Sequence, residues 1–238
     1  MDRTVRGMRQ YWDDAARKNA PWYVDTSMDY DQPDMDEFFS AGRRIVGICV
    51  QQSPTPLPGR DLGVEIGAGL GRNCLALAEH VDRVIGIDIS PEMVRQAEKL
   101  VTDPRVSFRI GDGHELNGVP DGCADVVISF TVFQHIPDER VIFGYLAEAG
   151  RVLKPGGVLA FQWNNEAGAA WWKVRRRVLA TLQTTGIRAE RHGRNAAEFL
   201  GSRVPLRRIR AALDGAGLEL TGAESLRTLY AFAWARKR

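Results

Sequence analysis

From Leu62 to Trp163, short apolar runs bounded by glycine, proline or acidic residues alternate with stretches of helical periodicity, and this alternation constrains the chain more than any other feature. LGVEIG reads as a strand, RNCLALAEHV as a helix, RVIGIDI as a strand, and SPEMVRQAEKLV as a helix with Ser90 at its cap and Pro91 in its first turn. VSFRIGD and ADVVISF are strands, DERVIFGYLAEAGRVL is a helix, and the turn KPGG leads into the strand VLAFQW. Five strands separated mostly by helices predict an α/β chain with a doubly wound, mostly parallel sheet covered on both faces. The tail departs from that rhythm. VPLRRIRAALDGAG is a helix, but LELTGAES and TLYAFAWARK follow as strands with only a short turn between them, which makes seven strands with an antiparallel close.

The chain of 238 residues divides accordingly. Residues 1–60 are expected to form an N-terminal helical cap or lid, dense in aromatics and acids at first and helical up to about Gln51. SPTPLPGR then breaks any helix and leads into the core, because proline lacks an amide donor and turns its predecessor away from helical geometry. The core spans 61–164, an insertion lid 165–203, and the closing helix and strands 204–238. Within the insertion, AWWKVRRRVLATL puts Trp171, Val174, Val178 and Leu182 near one helical face. Between Lys173 and Arg210 there are eleven Lys or Arg residues against Glu190 and Glu198, a solvated face or an attractor for an anionic substrate. The aromatics Tyr11, Trp12, Trp22 and Tyr23 form either a second lid or filler against the sheet. Overall, 32 basic and 30 acidic residues leave a net charge of +2, which announces no polyanionic partner. Cys49, Cys74 and Cys123 lack the spacing of zinc ligands or a redox pair and read as buried thiols. With no signal peptide and no apolar run near ~20 residues, the expected location is the cytoplasm, away from membranes.

In an open parallel sheet, ligands lie beyond the carboxyl ends of the strands where strand order reverses. The first such end carries VEIGAGLGRN. Gly67 and Gly69 suit a tight turn and a close approach, while Gly71 opens a helix whose free amides face a ligand. Arg72 stands where a dinucleotide site would have its last glycine. Glu65, just before the glycines, is placed to attract a cationic group. Asp88, at the end of the second strand, either accepts ribose hydroxyls or caps the turn beside Ser90.

At these residues the chain resembles the class I S-adenosylmethionine-dependent methyltransferases, over about Asp61 to Gln162 and again in the last two strands. The resemblance implies the Rossmann-like fold of that family and S-adenosyl-L-methionine as cofactor. It places EIGAGLG around the methionine end, with Glu65, Gly67, Gly69 and Arg72 among the cofactor residues. Asp88 would hold the ribose, Ile89 the adenine face, and GDGHEL would bring Asp112 to the adenine amino group beside Gly113. VVISFTVFQHI would pass the donor methyl, with Ser129 and Phe130 near the methionine. His135, just past the fourth strand, is the candidate general base, or else a residue that packs or caps the next helix. Asn164, Asn165 and Glu166 orient an acceptor or simply end the fifth strand. No acidic cluster follows the fourth strand, so metal independence is expected. The expected reaction is methyl transfer to a small-molecule acceptor. An RNA methyltransferase using the arginine-rich run and a non-catalytic cofactor binder are the alternatives, and neither the acceptor atom nor the oligomeric state is encoded legibly.

Overall fold

Central strands rich in Val and Ile, buried along their whole length, need cover on both sides, and the computed structural model supplies it. It describes residues 3–166, 199 and 201–238. The elements in chain order are α1 (Arg3–Val24), α2 (Met35–Val46), β1 (Gly63–Ile66), α3 (Arg72–Leu77), β2 (Val84–Asp88), α4 (Pro91–Leu100), β3 (Val106–Ile110) and β4 (Ala124–Ser129). They continue with a 3₁₀ turn (Phe133–His135), α5 (Glu139–Val152), β5 (Leu153–Trp163), α6 (Leu206–Gly215), β6 (Leu218–Glu224) and β7 (Ala231–Lys237). The sheet order is β3-β2-β1-β4-β5-β7-β6. β1 pairs in parallel with both β2 and β4, so the order reverses there, while β7 runs antiparallel to β5 and β6. The expected seven-stranded topology is present.

Alternate side chains along each strand separate into two cores. Val64, Ile66 and Val127 pack with Ile142, Leu146, Ile209 and Leu213 of α5 and α6. Val126 and Ile128 face the other way, towards Leu77 of α3, Val46 of α2 and Trp234 of β7. Helix ends follow local chemistry. Ser90 Oγ accepts the Met93 amide at 3.1 Å, Asp34 caps α2, and Asp138 caps α5.

α1 is kinked: Asn19 leaves helical geometry (φ −168°, ψ 79°), and its Oδ1 accepts the Trp22 amide, restarting the helix with Pro21 in the new first turn. One local reading changes. KPGG is a bulge within β5 rather than a turn before it, because Leu153 already pairs with Ala124 and pairing resumes at Val126 with Val158. The bulge sets Lys154 on the buried Asp125 (2.8 Å) and on Asp61 (2.6 Å). All three cysteines are free, but Cys123 is only partly buried and donates to the Pro120 carbonyl. Among the described residues, no helix is long and apolar enough to cross a membrane.

Candidate active site

The strand order reverses beside β1, and the tips of β1, β2 and β4 open there into a cavity of about 900 Å³, part of it open to solvent. The loop from Gly67 to Gly71 is held by amides of Gly67 and Ala68 donating to the Ile87 carbonyl at 2.7 and 3.1 Å. Gly67 and Gly71 have φ of +76° and +82°. A Cβ on Gly67 would lie 2.2 Å from Val132 Cγ2, so bare backbone is a steric requirement here.

Asp88 fulfils one of its two readings directly. Its Oδ1 accepts the Ser90 amide (2.9 Å) and its Oδ2 the Gly69 amide (2.8 Å), which ties the glycine loop to the second strand, and the residue still lines the cavity. Burial raises its pKa against the pull of those amides.

Glu65 also lines the cavity and is 1% exposed. It accepts from Asn73 Nδ2 at 2.8 Å and from the Cys74 thiol at 2.9 Å. Burial pushes its carboxyl up to about 7, opposed by those two hydrogen bonds and the nearby Arg72 charge. An acid raised in the folded state stabilises the fold below its unfolded pKa near 4.5, and that contribution is lost as pH rises through about 7. The melting temperature of the wild type is therefore expected to fall between pH 5 and 8 more steeply than that of Glu65→Gln. Calorimetric melting curves across that interval check this, and equal slopes would contradict it.

Beyond β4, Phe130, Thr131, Val132 and His135 form the next wall. Thr131 has φ +57°, a strained conformation for a β-branched residue, and its amide donates to Gln162 Oε1 at 3.0 Å. His135 Nδ1 donates to the Phe199 carbonyl, which leaves Nε2 as the acceptor nitrogen, 3.2 Å from Gln134 Nε2. The ring stands edge-on to Trp12, with centroids 5.5 Å apart, and tilted against Phe199 at 4.9 Å. Burial lowers its pKa to about 4, so the imidazole is neutral at physiological pH.

α1 closes the cavity from above through Met8, Trp12, Tyr23 and Val24. Polar contacts from Arg9, Asp13 and Asp25 fasten it. Arg9 donates to the Gly111 carbonyl (2.6 Å), Asp13 accepts from Ser90 Oγ (3.0 Å) and the Glu92 amide (2.8 Å), and Asp25, just past α1, pairs with Arg72 at 2.7 Å. Trp12 and Tyr23 line the cavity, whereas Trp22 packs away from it against Tyr23 and Tyr30.

The structure gathers Glu65, Gly67, Gly69, Arg72, Asp88, Ile89, Phe130 and His135 around one cavity. Three expected cofactor residues do not line it. Asp112 spends its carboxylate on its own loop, accepting the amides of His114 and Glu115 and the side chain of Asn117. Gly113 lies under Val5 of α1, 2.6 Å from where its Cβ would stand, and Ser129 is buried with Oγ on the Ile66 carbonyl. Asn164 and Asn165 serve to end β5. Their side-chain oxygens accept the amides of Glu166 and Leu206, and the Asn164 carbonyl takes Val204. Met8, Met93 and Tyr145 also line the cavity, with no local sequence signal to mark them. Among the described residues, no group of three or more His, Cys, Asp or Glu is placed to hold a metal ion. The Trp171–Leu182 face and most of the arginine-rich run lie outside the described residues.

Residues 64–161 match the family model of a methyltransferase domain. Over 111 residues the chain is 37% identical to 2-methyl-6-phytyl-1,4-hydroquinone methyltransferase of Synechocystis sp., a stretch covering 45% of this chain and 34% of that protein. Over 163 residues it is 27% identical to the ubiquinone biosynthesis O-methyltransferase of Xanthomonas campestris pv. campestris, covering 61% and 66% of the two. The chain spans about a third of the length of the first curated relatives it matches. Its fold resembles that of magnesium protoporphyrin IX methyltransferase from Synechocystis, crystallised with S-adenosylhomocysteine, with a TM-score of 0.63, 19% identity and coverage of 99% and 100%.

Proposed function

We propose that this chain, whose residues 64–161 match a methyltransferase domain, is a class I S-adenosylmethionine-dependent methyltransferase that methylates a small, largely apolar acceptor held beneath α1. The bound cofactor supplies a methyl group already activated on a sulfonium, which leaves the protein to position a nucleophile and keep water away. The residues fit that cofactor: Gly67 and Gly69 offer bare backbone beside two buried acids, Glu65 and Asp88. The observation that carries the acceptor reading is the composition of the remaining wall, where Met8, Trp12, Tyr23, Phe130, Ile136 and Tyr145 surround a single neutral imidazole. The hydroquinone and ubiquinone-pathway names of two relatives support the same class. His135 would take a proton at Nε2 from a hydroxyl or amine acceptor that displaces the Gln134 amide from that nitrogen, its other nitrogen being committed to Phe199. An RNA acceptor finds no support in this wall, since its one guanidinium among the described residues, Arg72, is buried and paired with Asp25. The reaction fits a cytoplasmic setting.

The test is a screen of quinols, phenols, amines and RNA with S-adenosylmethionine, read as S-adenosylhomocysteine release and as methylated product by mass spectrometry. Turnover of apolar phenolic acceptors is expected. Methylation confined to RNA, or none across the panel, would overturn the reading.

A further inference from the structure

Beside the imidazole, one buried polar atom has nothing to bond. Gln134 is 5% exposed, and its side chain makes one hydrogen bond among the described residues, from Nε2 to His135 Nε2 at 3.2 Å. Its Oε1 is buried without a partner there. The amide faces the ring this way round for a reason: Nδ1 carries the hydrogen that it donates to the Phe199 carbonyl, so the neutral Nε2 holds a lone pair and needs an N–H opposite. Buried polar groups are normally hydrogen-bonded. An unmet acceptor on a side chain whose other end touches the candidate base therefore points to a second state in which that acceptor is used.

Protonation supplies that state. An imidazolium Nε2–H opposite an amide N–H sets two donors together, whereas a half-turn of the amide about its last torsion brings Oε1 to the same place. The two ends of the amide are nearly isosteric, so the exchange needs no new space, and a hydrogen bond to a cation replaces a weaker neutral one. No other described group supports the charge. The ring packs on Trp12 of α1 and on Phe199, neither of them charged. Asp138 and Glu139, next along the chain, pair with Arg140 and Arg208, and burial keeps the cavity phenols Tyr23 and Tyr145 neutral. Neither these nor Glu65, Arg72, Asp88 or Arg203 shift the imidazole, which answers to burial and to the Phe199 carbonyl. Resting on the reading of His135 as the base, we propose that Gln134 is a positioning residue that follows the proton: its Nε2 aims the neutral imidazole before the acceptor arrives, and its Oε1 accepts from the imidazolium once the methyl has moved. The step balances. The acceptor oxygen or nitrogen gains the methyl carbon and gives its proton to His135 Nε2, the sulfur keeps the electron pair of the broken bond, and the proton passes to solvent after the product leaves.

Ring-nitrogen NMR of His135, followed through a pH titration without acceptor, separates a turning amide from a fixed one by the sign of the effect. Gln134→Met keeps the length of the side chain and removes both polar ends. With a turning amide the charged imidazole loses its acceptor, and the midpoint is expected to fall about one pH unit below that of the wild type, a tenfold loss of proton affinity. A fixed amide opposes protonation, so the same substitution would then raise the midpoint. That rise, or no change, would overturn the assignment. Gln134→Glu, which keeps an acceptor, is expected to raise the midpoint above the wild type. In turnover of a quinol, Gln134→Met is expected to lower kcat about tenfold with S-adenosylhomocysteine affinity unchanged, and Gln134→Glu to recover most of that loss. Equal losses in the two variants would likewise overturn the assignment. Wild-type turnover by His135→Phe would overturn the base reading itself, whatever the titration shows.

Discussion

Replacing Gly67 with alanine is expected to destabilise the protein by about 2–5 kcal/mol and to abolish measurable S-adenosylhomocysteine binding. Two causes add. The residue sits at φ +76°, where a side chain costs roughly 1–2 kcal/mol. The new methyl would also stand 2.2 Å from Val132 Cγ2 and 2.8 Å from Cγ1, and such overpacking costs typically ~1–3 kcal/mol. Against a typical stability of about 5–15 kcal/mol this is a large fraction. Urea denaturation of Gly67→Ala, Val132→Ala and the double variant isolates the clash. Removing the valine γ-carbons should restore the steric part and leave the backbone part, giving a coupling of about 1–3 kcal/mol. Strictly additive losses would show that Val132 is not the obstacle.

Asp88→Ala is the second large effect. A hydrogen bond to a charged group contributes ~1.5–3 kcal/mol, so S-adenosylhomocysteine affinity should fall by about 10- to 150-fold. The same carboxylate holds the amides of Gly69 and Ser90, so thermal stability should fall as well. Calorimetric titration beside a melting curve distinguishes its two roles. A lower melting temperature with unchanged affinity would mean that Asp88 serves only the turn.

The alternation of elements made most of the sheet legible, because period and punctuation are local properties: Ser90 caps α4 where the sequence places it, and the strands differ from expectation only at their ends. The misreading of KPGG arises where one contact outside the local pattern decides the outcome: the pairing of Leu153 with Ala124 draws it into β5. In the cavity, the glycine loop and the acids before and after it were legible because strand ends fix their position. The contribution of Met8, Met93 and Tyr145 was not, since it depends on how α1, α4 and α5 dock onto the sheet. Asp112 shows the converse limit, because an acid followed by His114 and Glu115 reads the same whether it meets a ligand or caps its own loop.

The fastening of α1 carries a further consequence. Asp13 supplies acceptor atoms to the start of α4, and Arg9 grips the backbone just past β3, so the roof of the crevice is also a brace for its floor. Displacing α1 would take those acceptors from the first turn of α4, whose own cap, Ser90 Oγ on the Met93 amide, stays, so the contacts that hold the roof also add to the stability of the domain. Shortening the chain ahead of Asp13 would then trade easier access for a looser scaffold, and the two could not be tuned apart.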